Sequence, residues 1–247
     1  DFDQHPLARG RDDPPIPLGT GIADQLGAYN IVYGLLSALY YREKTGKGQK
    51  LEINLFQCLL THQLQEFAVT LNSGKLFERP GSGIAHPGQS APFGIYKTAD
   101  GYMCISVNPI PVLAEVLEDE GLVAYDDPQV LYDKRDEVFF RIQASVVKQT
   151  TAYWVEKMLK RDMWVSEVKN HLEVEQDPQA IHLDAFASYE HPTAGTVRTV
   201  NIPVKFSETP GDIRRHPPRV GEHNEEILRE IGYSDEKIAE LKRDGVL

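Results

Sequence analysis

The residue with the clearest chemical potential is Asp24, a lone carboxylate at the start of a long apolar segment. It stands in the run Gly-Ile-Ala-Asp-Gln over residues 21–25, and no charged side chain occurs between residues 26 and 41. Apolar side chains surround this segment instead of forming one stripe, which predicts a buried helix. As the N-cap of that helix, Asp24 would be a structural anion at the positive end of the helix dipole. As a catalytic group it would be a nucleophile that is ionised without a general base.

A second group of candidates lies in the segment 80–90, which reads Pro-Gly-Ser-Gly-Ile-Ala-His-Pro-Gly-Gln-Ser. Glycine allows close approach of the backbone to a ligand and large changes of conformation. We predict a mobile loop that closes over a substrate. Histidine at position 86 can act as an acid or base, although a lone histidine in such a loop is more often a hydrogen-bonded loop residue. The substrate-binding candidates are Gly81, Gly83, His86, Gly88 and Gln89.

The composition argues against several classes of function. The 247 residues carry a net charge of -11, so neither a nucleic acid nor an anionic membrane is an expected partner. No apolar run is long enough to span a bilayer, and His and Cys show no metal-ligand spacing. The two cysteines, Cys58 and Cys104, lie in apolar patterns that predict buried free thiols. We expect a cytoplasmic protein without a metal site.

Local patterns predict an α/β layer followed by a mixed unit. Residues 1–20, rich in proline and charge, predict an extended lead-in. A helix that stops near Thr45-Gly46, a strand over 50–55 and a helix over 57–71 form the α/β layer. Two β-rich runs around Asp100-Gly101 predict a hairpin. Further predictions are helices over 111–120, 133–148, 151–161, 222–231 and 234–243, a strand over 197–206, and core positions for Tyr153, Trp154 and Trp164.

Four segments, in this order, resemble the class III CoA-transferase family, which includes formyl-CoA transferase, carnitine CoA-transferase and alpha-methylacyl-CoA racemase. The similarity covers nearly the whole chain from about Pro14 onward. The segments are residues 21–56 around Asp24, residues 83–101 with His86-Pro87 and Asp100-Gly101, the run Glu175-x-Asp177-Pro178-Gln179, and the tail Pro217-Pro218-x-x-Gly221-Glu222-His223.

The resemblance implies an activity. In that family the Asp of the first segment is the catalytic carboxylate, so Asp24 would form an anhydride with the acyl group and then an aspartyl-CoA thioester. The substrates would be an acyl-CoA and a carboxylic acid, with coenzyme A as carrier and no tightly bound cofactor. The broken glycine run at 81–88 departs from formyl-CoA transferases and favours a bulkier acyl group. Two alternatives stay open: an acyl-CoA racemase or epimerase on the same scaffold, and a non-catalytic half that completes a dimer.

The resemblance also implies an α/β fold, with part of a Rossmann-like large domain joined to a smaller α+β domain in an interlocked homodimer. Residues 1–71 would be the second part of the large CoA-binding domain, and 72–92 the linker and active-site loop. Residues 93–195 would form the small domain, and 196–247 the return segment with the C-terminal helices. In the family, most of the CoA pocket lies upstream of the catalytic Asp, so the CoA contacts of this chain are not predicted.

Overall fold

The computed structural model describes residues 19–247, and most of the predicted lead-in over residues 1–20 lies outside the described residues. The described residues divide into two compact units, one that ends at residue 168 and one over residues 169–247. Among residues 19–247, no helix combines the length and the hydrophobicity that crossing a membrane requires.

The first unit begins with three helices: α1 (Ile22–Thr45), α2 (Leu55–His62) and α3 (Leu64–Ser73). The predicted stop of α1 is confirmed, because Gly46 takes the left-handed conformation with φ 72° and its N–H donates to Arg42 O at 2.8 Å. Asn54 caps α2 by accepting the N–H of Gln57. The single helix predicted over 57–71 is broken at Gln63.

The strand predicted over residues 50–55 is not formed. Residues 51–54 have no strand partner among the described residues, and α2 already begins at Leu55. A Cβ placed on Gly34 of α1 would lie 3.1 Å from Leu51 Cδ1 and 3.7 Å from Ile53 Cδ1, so this segment packs on α1. Alternation made these residues strand-like, but a strand also requires a hydrogen-bonding neighbour. None of residues 19–247 supplies that neighbour.

An α+β core completes the first unit. Its antiparallel sheet has the order β1 (Gly94–Lys97), β2 (Tyr102–Ile105) and β3 (Val165–Glu167), with Tyr96 opposite Met103. The predicted hairpin is therefore confirmed, whereas the three-residue β3 gave no sequence signal. The helices are α4 (Ile110–Leu117), α5 (Pro128–Asp133), α6 (Arg135–Val146) and α7 (Thr151–Leu159), with a 3₁₀ helix over Glu120–Tyr125.

The hydrophobic core of the first unit lies between this sheet and its helices. Trp154 is buried there and its indole Nε1–H donates to Val146 O at 2.7 Å, as predicted for a core residue. The same prediction is wrong for Trp164, which is 71% exposed, and for Tyr153, which is also exposed. Trp164 directly precedes β3, and its backbone rather than its indole is used: its carbonyl accepts from Ser106 N–H. Cys58 is buried, Cys104 is half-buried, and both are free thiols.

Helix α1 is not buried by the described residues, contrary to the prediction. Gly27 is its only buried residue, and Tyr29 is 70% exposed. Several large apolar side chains of α2 and α3 are exposed as well, including Phe56 at 72%, whereas Leu59 and Leu60 of α2 are half-buried. We call this surface the apolar face; its exposed members are Tyr29, Ile31, Val32, Tyr33, Leu35, Leu36, Leu39, Tyr40, Phe56, Leu64, Phe67 and Leu71. Residues 19–247 therefore leave the apolar face without a covering layer.

The second unit combines short helices with one hairpin. Its elements are α8 (His171–Glu175), α9 (Pro178–His182), β4 (Phe186–His191), β5 (Gly195–Val200), α10 (Asn224–Glu230) and α11 (Asp235–Arg243). The strand predicted over 197–206 ends at Val200, because its partner β4 begins at Phe186, directly opposite. The predicted cap at Ser234 is confirmed, since its side chain accepts Lys237 N–H at 3.3 Å. Glu222 does not open a helix as predicted, because α10 begins two residues later.

Candidate active site

Asp24 is the third residue of α1, with its carboxylate exposed in the first helical turn. The N-cap is Gly21, so the interpretation of Asp24 as the N-cap is wrong. Its Oδ2 lies 3.2 Å from the place a Cβ on Gly21 would occupy, so the carboxylate bends back over the helix start. Among residues 19–247, no hydrogen bond or ion pair engages this carboxylate. A solvent-facing anion therefore stands beside the backbone N–H groups that a first helical turn leaves without helical partners.

The first half of the 80–90 loop is fixed to the α+β core. Asp136, in the first turn of α6, accepts the Gly81 N–H at 2.9 Å and the Ser82 hydroxyl at 2.5 Å. A Cβ on Gly83 would lie only 2.5 Å from Phe139 Cζ, so glycine is required there for packing. The carbonyl of Gly83 accepts Ile95 N–H at 3.3 Å. The amide of Gly81 and the carbonyl of Gly83 thus have partners within the protein.

The second half of the loop is organised around His86. Its Nε2 lies 2.7 Å from Oε1 of Glu66 on α3, and its Nδ1 accepts the Gly88 N–H at 3.0 Å. Its carbonyl accepts the Gln89 N–H at 3.0 Å. The hydrogen bond from His86 holds the pKa of the Glu66 carboxyl below its usual value. Both ring nitrogens are therefore occupied, and His86 has no nitrogen left for a substrate in this conformation.

The five loop candidates share one segment of the chain, and the part of the chain that the structure describes shows no bond between that segment and Asp24. No hydrogen bond or ion pair between residues 19 and 247 links Asp24 to the loop. The loop contacts also bear on the expected lid. Motion of residues 81–84 would break the bonds to Asp136, so a lid, which stays a prediction, has more freedom beyond Ala85.

A cleft of about 520 Å³ lies next to the loop, between the end of α3 and the start of α6. Its wall includes Phe77, whose ring makes a T-shaped contact with that of His86, with 5.9 Å between centroids. Arg135 also lines it, buried and stacked on Tyr132 at 4.5 Å from the ring centroid. The other charged residues of the wall are Lys75, Glu78, Asp133 and Asp136. Their mixed signs favour neither an anion nor a cation.

Other motif residues from the sequence have structural roles. Asp100 accepts the Thr151 N–H at 2.8 Å and its hydroxyl at 2.9 Å, which fixes the β1–β2 turn to the start of α7 and lowers the pKa of the Asp100 carboxyl. Asp177 is the N-cap of α9. Glu222 accepts the Arg219 N–H at 2.7 Å, and this bond lowers the pKa of Glu222.

Two residues of this region escaped the sequence analysis. Asp136 is 54 positions from Ser82, and Glu66 is 20 positions from His86. No spacing rule reaches that far, so only the fold reveals these pairs. Within the described residues, no group of three or more His, Cys, Asp and Glu side chains could hold a metal ion.

Comparisons with known proteins point to CoA-transferases over most of the length of the chain. The model of a protein family described as CoA-transferase family III matches residues 6–224. A formyl-CoA:oxalate CoA-transferase from Rhodopseudomonas palustris is 26% identical over 263 residues, covering 96% of this chain and 62% of that protein. An L-carnitine CoA-transferase from Proteus mirabilis is 26% identical over 258 residues, covering 99% and 63%.

Solved structures show the same fold. A CAIB/BAIF family protein from Brucella suis superimposes with a TM-score of 0.72 at 24% identity, covering 91% of this chain and 59% of that one. The chain thus spans about three fifths of the length of the curated relatives it matches.

Proposed function

The chain belongs to CoA-transferase family III, and from this premise we propose that it forms part of an enzyme that moves coenzyme A from an acyl-CoA to a carboxylic acid. The observation that carries the proposal is the Asp24 carboxylate, exposed and without a partner among residues 19–247, in the first turn of a 24-residue helix. A structural acid would be expected to hold the chain by a hydrogen bond, as Asp100 and Asp177 do. An unpaired one is available to react.

The proposed reaction requires no proton transfer. A carboxylate oxygen of Asp24 attacks the thioester carbonyl, the C–S bond breaks, and the CoA thiolate leaves behind a mixed anhydride. The thiolate then attacks the aspartyl carbonyl and releases the donor acid as a carboxylate, which leaves an aspartyl-CoA thioester. The acceptor carboxylate attacks this thioester and forms a second anhydride. The thiolate returns to the new acyl group, which frees Asp24.

Each step passes through a tetrahedral oxyanion, and α1 supports its stabilisation. The N-terminus of a helix carries partial positive charge and free N–H groups. Preorganised donors of this kind lower the barrier because they need no reorientation during the reaction. The position of Asp24 at residue three of the helix supports this role, because its carboxyl group belongs to the same first turn as those N–H groups.

The loop contributes through its second half in this proposal. Gly81 and Gly83 already have internal partners, and His86 is held by Glu66. The Gln89 side chain is half-buried and accepts or donates no hydrogen bond among residues 19–247, so it is the loop residue best suited to contact a substrate. One relative is named for formyl-CoA and oxalate, and the other is named for L-carnitine. The bulkier loop of this chain favours a larger acyl group.

The wider assembly is also part of the proposal. We expect an interlocked homodimer in the cytoplasm, with the domain limits predicted above at residues 71, 92 and 195. The exposed apolar face supports it, because an exposed patch of this extent marks a surface that another layer covers. In the longer relatives a further part of the fold is available to form such a layer.

Trapping with hydroxylamine tests the proposal. The full-length protein is incubated with acetyl-, butyryl- or isobutyryl-CoA and hydroxylamine, and Asp24 is examined by peptide mass spectrometry. We expect a hydroxamate on Asp24, and none in Asp24→Asn. The variant Glu43→Gln, at an exposed site of the same helix, is the matched control and should react normally. Absence of hydroxamate with exchange of the α-proton in heavy water would instead establish a racemase.

A further inference from the structure

We propose that Glu66 is a positioning residue, which fixes the substrate-facing half of the loop through His86. The inference rests on the proposed function, since it assigns a role within the same site. It starts from a continuous chain of three groups: the Glu66 carboxylate, the His86 ring and the backbone N–H of Gly88. The two links measure 2.7 Å and 3.0 Å.

The second link determines the direction of the first. A backbone N–H can only donate, so Nδ1 of His86 must be the acceptor and carries no proton. In the neutral ring the proton is then on Nε2, which donates to Glu66. Glu66 therefore selects the tautomer of His86 that can receive Gly88. A carboxylate that orients an imidazole in this manner affects the substrate only through the histidine that it holds.

Packing makes this arrangement restrictive. A Cβ on Gly88 would lie 2.9 Å from Phe77 Cε1 and 3.1 Å from His86 Cε1, so the backbone at residue 88 touches both rings. The next residue is Gln89, whose N–H donates to the His86 carbonyl. Fixing the His86 ring therefore fixes the turn that presents the Gln89 side chain.

The loop has two separate anchors on two different helices. Asp136 of α6 holds residues 81 and 82, whereas Glu66 of α3 holds residues 86 and 88. Helix α3 follows α2, which packs on α1, the helix that carries Asp24. The Glu66 anchor is thus the one that ties the loop to the helical layer of the nucleophile. Asp136 ties the loop to the α+β core.

The two anchors can be separated by hydrogen–deuterium exchange on the full-length protein, with peptides that distinguish residues 80–84 from 86–90. In Glu66→Met, which keeps chain length but has no strong acceptor, exchange at 86–90 should rise about tenfold, as loss of about 1.4 kcal/mol of hydrogen bonding implies. Exchange at 80–84 should not change. Asp136→Ala should give the reverse pattern, and Glu43→Gln should change neither.

Rescue by a conservative variant distinguishes positioning from general support. Glu66→Gln keeps an acceptor oxygen for Nε2–H, so it should restore slow exchange at 86–90. With butyryl-CoA as the probe, Glu66→Met should raise KM about tenfold with kcat within about twofold, and Glu66→Gln should return KM to near the wild-type value. Unchanged exchange in Glu66→Met, or a Gln variant as impaired as the Met variant, would overturn the proposal. The hydrogen–deuterium exchange experiments need no substrate. They therefore test the Glu66 anchor independently, even if Asp24→Asn proves active and the proposed function fails.

Discussion

Removing one hydroxyl from the core should stabilise this protein. Tyr96 is fully buried in β1, and its hydroxyl is one of the buried side-chain groups without a hydrogen-bond partner among the described residues. Its ring stacks on Phe139, with 4.4 Å between centroids and 20° between planes. The substitution Tyr96→Phe keeps this stacking and removes only the unpaired hydroxyl.

The magnitude follows from two opposing effects. An unsatisfied buried hydroxyl costs about 1–3 kcal/mol. Deleting one oxygen leaves a small void, which at about 24 cal/mol per Å³ costs no more than about 0.5 kcal/mol. The net expectation is a gain of about 1 kcal/mol in unfolding free energy, or about 2–4 °C in Tm for a unit of this size.

The pH dependence provides a second signature. Burial, and then the nearby Cys104, raise the pKa of Tyr96 well above its usual value. The folded protein thus retains a proton that the unfolded chain releases near pH 10, so the native state loses stability as pH rises above about 10. Phenylalanine has no such proton. The advantage of Tyr96→Phe should therefore widen above pH 10.

Urea unfolding of the full-length wild type and variants, followed by fluorescence at pH 7 and pH 10.5, measures both effects. Tyr125→Phe is the matched control, because the Tyr125 hydroxyl does have a partner, Glu137 Oε1 at 2.6 Å. This control should lose rather than gain unfolding free energy, because it gives up that hydrogen bond. If Tyr96→Phe also lowers the unfolding free energy, its hydroxyl is satisfied in the native state and the reasoning fails.

Two further substitutions test the anchoring of the loop and the hairpin. Gly83→Ala should lower the unfolding free energy by about 1–3 kcal/mol, because its Cβ would lie 2.5 Å from Phe139 Cζ; Gly48→Ala, with nothing within 4 Å, should stay within about 0.5 kcal/mol in the same urea titration. Asp100→Asn should flatten the acid limb of a stability–pH curve. The bonds from Thr151 lower the pKa of Asp100, so its contribution is present above its unfolded pKa of about 3.9 and is lost as pH falls through the folded value. An identical acid limb in wild type and variant would show that these bonds do not stabilise the fold.

Local signals in the sequence predicted the elements whose causes are local. The β1–β2 hairpin follows from Asp100-Gly101 between two β-rich runs, and the end of α1 follows from Gly46. The capping Ser234 marked α11 in the same way. Each of these features depends on residues within about five positions, where turn and capping chemistry decide the conformation.

Features that depend on distant partners were not predictable. The alternation at 50–55 indicated a strand, but strand formation requires a neighbour that the described residues lack. The apolar pattern of α1 predicted a buried helix, but the described residues leave this helix exposed, and a pattern does not identify what would cover it. The candidate site divides in the same way. Asp24 and the loop were visible in the sequence, whereas the anchors Glu66 and Asp136 are remote from the residues they hold.

The exposed apolar face of α1, α2 and α3 has a consequence for how much of this protein a cell can hold. Chaperones and proteases recognise uncovered aromatic and aliphatic side chains such as Tyr29, which is 70% exposed. Copies whose apolar face stays uncovered would be removed or would aggregate, and covered copies would survive. The amount of this protein in the cell would then follow the supply of the layer that covers its apolar face. Quality control would keep the protein and that layer in proportion without any regulation of transcription.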